Sequence, residues 1–357
     1  MVRWSGRRRN RVRSWEGSSR NRRPPPFRWE SEPAMHTTSE LVRATKPFAR
    51  EVRWRSWWHF WSTLGALVGL LGLTCLGGPW WCRLPVSVLV GLTMVRLFTI
   101  YHDHQHGTIL GGSALADVML GTYGLLLLTP PSIWRRTHHH HHRHNGRLQA
   151  AGIGSFPVLT TGAFARASRR RRFAYALSRH PLTILAGYAT VFLYGMCLQP
   201  LLLRPRQHAD AALALLMHAA LVAALAAFAP ALLLWTLLLP LGVATALGSY
   251  LFYAQHNFPG AQFQEGVAWD HAAAALAGSS YIPMNPVLRW FTGNIGYHHV
   301  HHLNARIPFY RLPEAMAQLE ELQSPGVTTL SPRGVYRCLR LKLWDSDRQC
   351  LVTFAGH

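Results

Sequence analysis

The sequence predicts an all-α integral membrane protein, with about four transmembrane helices, additional interfacial helices and a histidine-rich cap on one face of the bilayer. Three observations predict it. Stretches such as Ala211 to Ala229 and Ala231 to Tyr253 run without a single Asp, Glu, Lys or Arg, a length of uncharged chain that a soluble core helix rarely shows. The 37 lysines and arginines, against 15 acids, give a formal charge of +22 and collect in a few segments outside the long apolar stretches, as basic residues on the cytoplasmic side of membrane spans do. Most of the 21 histidines fall in tight clusters just after an apolar stretch or in a polar loop.

Residues 1–34 hold ten arginines, three acids and the run Pro24-Pro25-Pro26 without an apolar period. They are expected to form a basic disordered N-terminal extension, either a mis-assigned start upstream of Met35 or an arm lying on lipid. Residues 35–357 then read as a single membrane domain. From Trp57 to Leu76 and from Trp81 to Tyr101 run two apolar stretches separated by Gly77-Gly78-Pro79 and flanked by tryptophans, which predicts a helical hairpin with interfacial aromatic ends. Arg83 and Arg96 in the second stretch are expected to snorkel toward the headgroups. The short apolar segment Leu115 to Leu128 is expected to lie along the surface.

Three apolar stretches follow: Leu182 to Leu203, Ala211 to Ala229 and Ala231 to Tyr253, with Pro230 and Pro240 as break or kink points. If all three crossed, histidines before and after them would lie on opposite faces. One must fail to cross, and Leu182 to Leu203, which contains Gly187, Gly195 and Pro200, is the expected one. The cysteines Cys75, Cys82, Cys197, Cys338 and Cys350 are odd in number and show no CxxC spacing, so neither a disulfide framework nor a zinc ribbon is implied. The arginine runs Arg7 to Arg9 and Arg169 to Arg172 are explained by topology, and no nucleic-acid partner is expected.

Most histidines fall in three clusters and a singleton. In the first, His102-Asp103-His104-Gln105-His106, His102 and His106 are four apart and share a helix face. The second, spanning 138–142 with His144 beyond it, admits one HxxHH register: His138, His141 and His142. A low-complexity tract would explain it in isolation. The third, at 298–302, repeats the pattern in one register, His298, His301 and His302. His256, just after the last apolar stretch, is a weaker candidate that an interfacial histidine would also explain. Two boxes of three, one of two and the singleton make nine imidazoles, too many for one zinc ion and suited to a di-metal site with open positions. Imidazole accepts iron, zinc, copper or nickel, so the ligand type does not name the metal. Asp103 and Asn145, next to candidate ligands, are candidates to hydrogen-bond imidazole N–H groups; a helix cap or solvated polar residue is the plainer alternative for each.

At these residues the chain resembles the membrane fatty-acid desaturase family, whose boxes read HxxxH, HxxHH and HxxHH with a further histidine shortly after the last span. It looks closest to bacterial acyl-lipid and plant ω-type desaturases, through HDHQH at 102–106, the Trp134-Arg135 lead-in and the stretch from Gly293-Asn294-Ile295-Gly296-Tyr297 to Leu303-Asn304-Ala305-Arg306-Ile307-Pro308. The resemblance covers roughly Met35 to the C-terminus. It implies that His102, His106, His138, His141, His142, His256, His298, His301 and His302 hold two non-haem iron ions. It also implies that a lipid- or CoA-linked fatty acyl chain is desaturated with O2 as co-substrate. The electrons then come from a separate ferredoxin- or cytochrome-type donor with its reductase, since the chain has no CxxCH haem site or iron–sulfur cysteine run. An integral protein of a bacterial inner membrane, with its boxes cytoplasmic, is the expected setting. In acyl-CoA desaturases an asparagine one turn before the singleton assists a metal; here that position is Phe252. The alternative within the same chemistry is a membrane di-iron hydroxylase or ketolase acting on lipid or carotenoid. A metal transporter is disfavoured because only His218 sits mid-stretch and no internal repeat is evident.

Overall fold

The computed structural model describes residues 38–148, 154–264 and 269–356; the expected N-terminal extension at 1–34 lies outside them. Helix α1 (Arg53–Cys75) and helix α2 (Trp80–Gln105) form the hairpin. They turn at Gly77 and Gly78, whose φ values of 85° and 110° only glycine adopts easily. Trp54 and Trp58 at one end of the hairpin and Trp80 and Trp81 at the other are exposed, as an aromatic belt at each interface requires. Ala114–Leu126 (α3) is capped by the Ser113 side chain. Pro131–Arg143 (α4) follows at 89° to it. Next come a shorter apolar helix at Tyr188–Leu203 (α5), then Ala209–Phe228 (α6) and Pro230–Ala254 (α7). Beyond α7, His271–Ala277 (α8) and His298–Leu303 (α9) build the cap.

Among the described residues four helices, α1, α2, α6 and α7, are long and apolar enough to cross a membrane. The central pair is α2 with α7. A Cβ on Gly91 of α2 would lie 2.7 Å from the Pro240 carbonyl oxygen and 2.8 Å from Val243 Cβ, so the two backbones approach as closely as a missing side chain allows. Pro240 cannot donate to the carbonyl four residues back, and the turn before it is π-helical from Leu233 to Leu238. The Ser87 hydroxyl on α2 donates to the Trp235 carbonyl in that widened turn.

The stretch expected not to cross is broken into Pro181–Leu185 and α5, and the first eleven residues of α5 are π-helical. Both ends of α5 are tied to the histidine side of the molecule. Gly187 lies against Thr245 and Ser249 on the last turns of α7, and Gln207, just beyond α5, accepts from Arg136 on α4. The chain therefore returns to the face it left, and α6 and α7 make the remaining out-and-back pair.

Arg96 departs from the expectation of snorkelling. It is 3% exposed, with Nε on Thr63 Oγ1, one guanidinium nitrogen on the Trp290 carbonyl, the other on His59 Nδ1, and its plane over the Trp290 ring. From three turns inside α2 the side chain reaches a ready-made polar pocket at less cost than the headgroup layer. Arg83, near the start of α2, does reach back to the Gly77 turn. The only strands among the described residues are two- and three-residue pieces, the largest set being Leu159–Thr160, Leu343–Asp345 and Cys350–Val352. All five cysteines are free.

Candidate metal centre

The last turn of α2 presents His102 and delivers His106 at its C-terminal cap. α4 starts at Pro131, whose fixed φ suits a first helical position, and carries His138, His141 and His142 on its buried face. α9 carries His298, His301 and His302, all buried. His256 follows the end of α7. The fold gathers these nine side chains into two adjoining groups: His102, His106, His138, His142 and His301 in one, and His141, His256, His298 and His302 in the other.

The partition follows helix geometry. Within an HxxHH box the first and last histidines are one turn apart and enter the same group, while the middle one is rotated into the other group. On α4, His138 and His142 enter the first group and His141 the second; on α9, His298 and His302 enter the second and His301 the first. The two boxes thus interlock in opposite senses, with the His142 and His302 rings stacked at 4.3 Å where the groups meet. The first group gains a one-turn pair, His102 and His106, from α2. The corresponding pair on α7 is Phe252 and His256, and the Phe252 ring lies 5.1 Å from His141 and 6.1 Å from His256. That is why the second group has one imidazole fewer. A cavity lined by His141, Asn145, Phe252 and His256 opens beside it.

The imidazole nitrogens face one another. Nε2 atoms approach at 2.8 Å between His102 and His138, 3.1 Å between His138 and His142, and 3.1 Å between His142 and His301. In the second group the approaches are 3.0 Å for His141–His256, 2.9 Å for His256–His298 and 3.1 Å for His298–His302. His102 donates a hydrogen bond from its Nδ1–H to Asp103, at 3.0 Å, and His256 from its own to the Gly278 carbonyl, at 3.0 Å. The Nε2 of each is therefore a lone pair aimed into the group. The Nε2 of His106 is buried without a partner. Such a set of converging lone pairs is repulsive unless a cation sits among them. Ligand atoms in each group all lie within 4.8 Å of one another, so the imidazoles of each group could hold a single divalent ion between them. Burial holds His138, His141, His142, His298, His301 and His302 well below the ordinary imidazole range, and His256 at about 4. All are neutral at pH 7, as ligands must be.

The two residues expected beside the ligands part ways. Asp103 accepts from His102 and, through its other oxygen, from the Phe309 backbone N–H. The Asn145 amide group instead donates to the Ala274 carbonyl on α8 and to Ser279 Oγ; two residues past the end of α4, it pins that helix to the cap. His139 is exposed, while His140 and His144 stack on each other at 4.1 Å outside both groups. His104 and His299, inside their boxes but off the helix face, bond Asp117 and the Leu322 carbonyl. One contact lay unread in the sequence: Trp134, one turn before His138, stacks on it at 4.7 Å and 18°. The one-turn spacing was the available signal.

A family model described as fatty acid desaturase matches residues 78–333. The chain belongs to the fatty acid desaturase family. Among curated relatives, this desaturase is 30% identical over 327 residues to the "Fatty acid desaturase" of Bacillus subtilis (strain 168), covering 89% of this chain and 91% of the relative. It is 26% identical over 362 residues to a "Probable fatty acid desaturase" of Sorghum bicolor, covering 93% and 88% respectively. The matched region contains all three histidine boxes and His256. The enzyme is accordingly a desaturase with histidine groups suited to metal.

Proposed function

We infer that the enzyme carries out oxygen-dependent desaturation of a lipid- or CoA-linked fatty acyl chain at a di-iron centre held by the nine gathered histidines. The separation of those imidazoles into interlocked groups of five and four carries the reading, because one structural zinc would use four and leave five unexplained. Bound iron with O2 supplies the oxidising power to remove hydrogen from an unactivated methylene, which no side chain can do. The overall change is R–CH2–CH2–R′ + O2 + 2 electrons + 2 H+ giving R–CH=CH–R′ + 2 H2O, with the electrons from a separate ferredoxin- or cytochrome-type donor.

The protein's own contribution is placement. Asp103 and the Gly278 carbonyl orient His102 and His256 by accepting hydrogen bonds from their Nδ1–H groups. Phe98, Tyr101 and Trp134 form an aromatic wall on the span side of His102 and His138, the apolar boundary that an acyl methylene meets on approaching the first group. Phe252 shields the second group on the side where α7 offers no second ligand. The surrounding apolar residues keep bulk water from the reacting carbons. A membrane with the histidine cap on its cytoplasmic side fits the basic flanks of the spans.

The test is expression in a host with a compatible donor, followed by mass-spectrometric profiling of acyl chains. New unsaturation is expected with the wild type and none with His301→Ala. Purified protein is expected to hold about two irons per chain; stoichiometric zinc without iron, or unsaturation that persists in the variant, would overturn the reading.

A further inference from the structure

The two faces of α4 differ as much as an inside and an outside can. Its inner face carries Trp134, His138, His141 and His142, and its outer face carries Arg135, Arg136, His139 and Arg143, all four exposed. Among the described residues no carboxylate pairs with those three arginines; Arg135 and Arg136 bond only the neutral side-chain carbonyls of Gln105 and Gln207. At the same place the first imidazole group comes to the surface. His106 is only half-buried, and the exposed His139 ring lies 5.5 Å from it.

The geometry points to this outer face of α4 as the docking surface for an acidic one-electron carrier protein, with electrons entering the first histidine group beside His106 and His139. The inference rests on the proposed di-iron reading, which needs two electrons per double bond. Two docking events would each oxidise one reduced carrier and pass one electron inward, across a single helix thickness.

Charge alone would also suit an anionic lipid surface, and a second basic element shows what that looks like. The helix Arg169–Ser178 sets its exposed arginines beside exposed Phe173 and Leu177, and exposed Leu182 and Leu185 follow it. Basic residues with large apolar side chains alongside are the mark of a helix lying in the headgroup layer. The outer face of α4 has the cations without the apolar anchors. It therefore fits a soluble acidic surface better than a lipid one.

The experiment uses the full-length desaturase in phosphatidylcholine nanodiscs, with a plant-type [2Fe–2S] ferredoxin as the acidic carrier and dithionite with methyl viologen as a small-molecule reductant. Arg135→Glu with Arg143→Glu should raise the Kd and KM for ferredoxin about tenfold and flatten their salt dependence. It should leave kcat at saturating ferredoxin and the small-reductant rate unchanged. Arg169→Glu with Arg171→Glu should leave ferredoxin affinity as it was. An unchanged ferredoxin Kd in the first variant would overturn the proposal. So would an equal loss of the small-reductant rate, which means damage to the site, or an effect seen only with phosphatidylglycerol in the disc, which means a lipid contact. If the wild type binds ferredoxin through Arg135 and Arg143 but desaturates nothing with either electron source, the docking surface stands and the desaturation reading falls.

Discussion

Asp103 serves two masters, the His102 imidazole and the Phe309 backbone N–H, and so couples the end of α2 to the chain just beyond α9. Replacing it with Asn keeps the size but weakens the acceptor that fixes the His102 tautomer. Iron retention after dialysis against a chelator should fall by about 10- to 100-fold in affinity, and unchanged retention would show that Asp103 is merely a buried link. The buried histidines also set a pH dependence. His256 and His299 are lowered by burial from 6.5 to about 4, so between those values the unfolded chain takes up protons that the folded chain refuses. Their contribution to stability is complete above about pH 6.5 and is lost as pH falls toward 4. Metal-free protein should therefore unfold at a lower temperature at about pH 5 than at about pH 7.5, and His299→Gln should shrink the difference. A flat profile would count against neutral burial of these rings.

At the scale of elements, the spacing of the boxes is the intelligible part. One-turn pairs share a group and the middle histidine crosses over, because successive turns of a helix repeat direction while an i+3 residue is rotated from the i and i+4 line. That logic needs only the local sequence and a helix, which is why the register of both HxxHH boxes was legible. Asn145 was not, since its partners on α8 and at Ser279 lie more than a hundred residues away. Helix packing makes a sharper test. Gly91 meets Pro240 and Val243 at distances no Cβ tolerates, whereas a Cβ on Gly72 meets nothing within 4 Å. Gly91→Leu should cost about 1–3 kcal/mol, read as a fall in the unfolding temperature in detergent, and Gly72→Leu much less. Equal effects would mean that the α2–α7 contact is looser than the structure has it.

For the whole molecule the controlling constraint is that histidines from four distant segments meet. The contact between His102 and His138 requires that α3 and the start of α4 make no net crossing, and that between His141 and His256 requires an even number of crossings, which α6 with α7 supply. The hairpin turn then belongs on the opposite face from the cap. Exposed Cys75 and Cys82 beside that turn and half-buried Cys350 in the cap offer native labels. In sealed vesicles, a membrane-impermeant maleimide should reach Cys75 and Cys82 from one side and Cys350 only from the other; labelling of all three from one side would break this topology.

By itself the sequence determined what depends on spacing and composition: the uncharged stretches long enough to cross, the parity argument that one of them must not, and the box registers. These follow from helix period and bilayer thickness, which need no knowledge of distant partners. Only the tertiary structure decided how the nine histidines divide into five and four, that Phe252 stands where α7 would have offered a second imidazole, and that Asn145 pins a helix instead of orienting a ring. It also moved Arg96 from the headgroups to a pocket made by Thr63, His59 and Trp290. Each of those outcomes turns on which side chains from remote elements fill the space around a residue. That is set by packing, where a polar pocket or a missing Cβ outweighs any local preference.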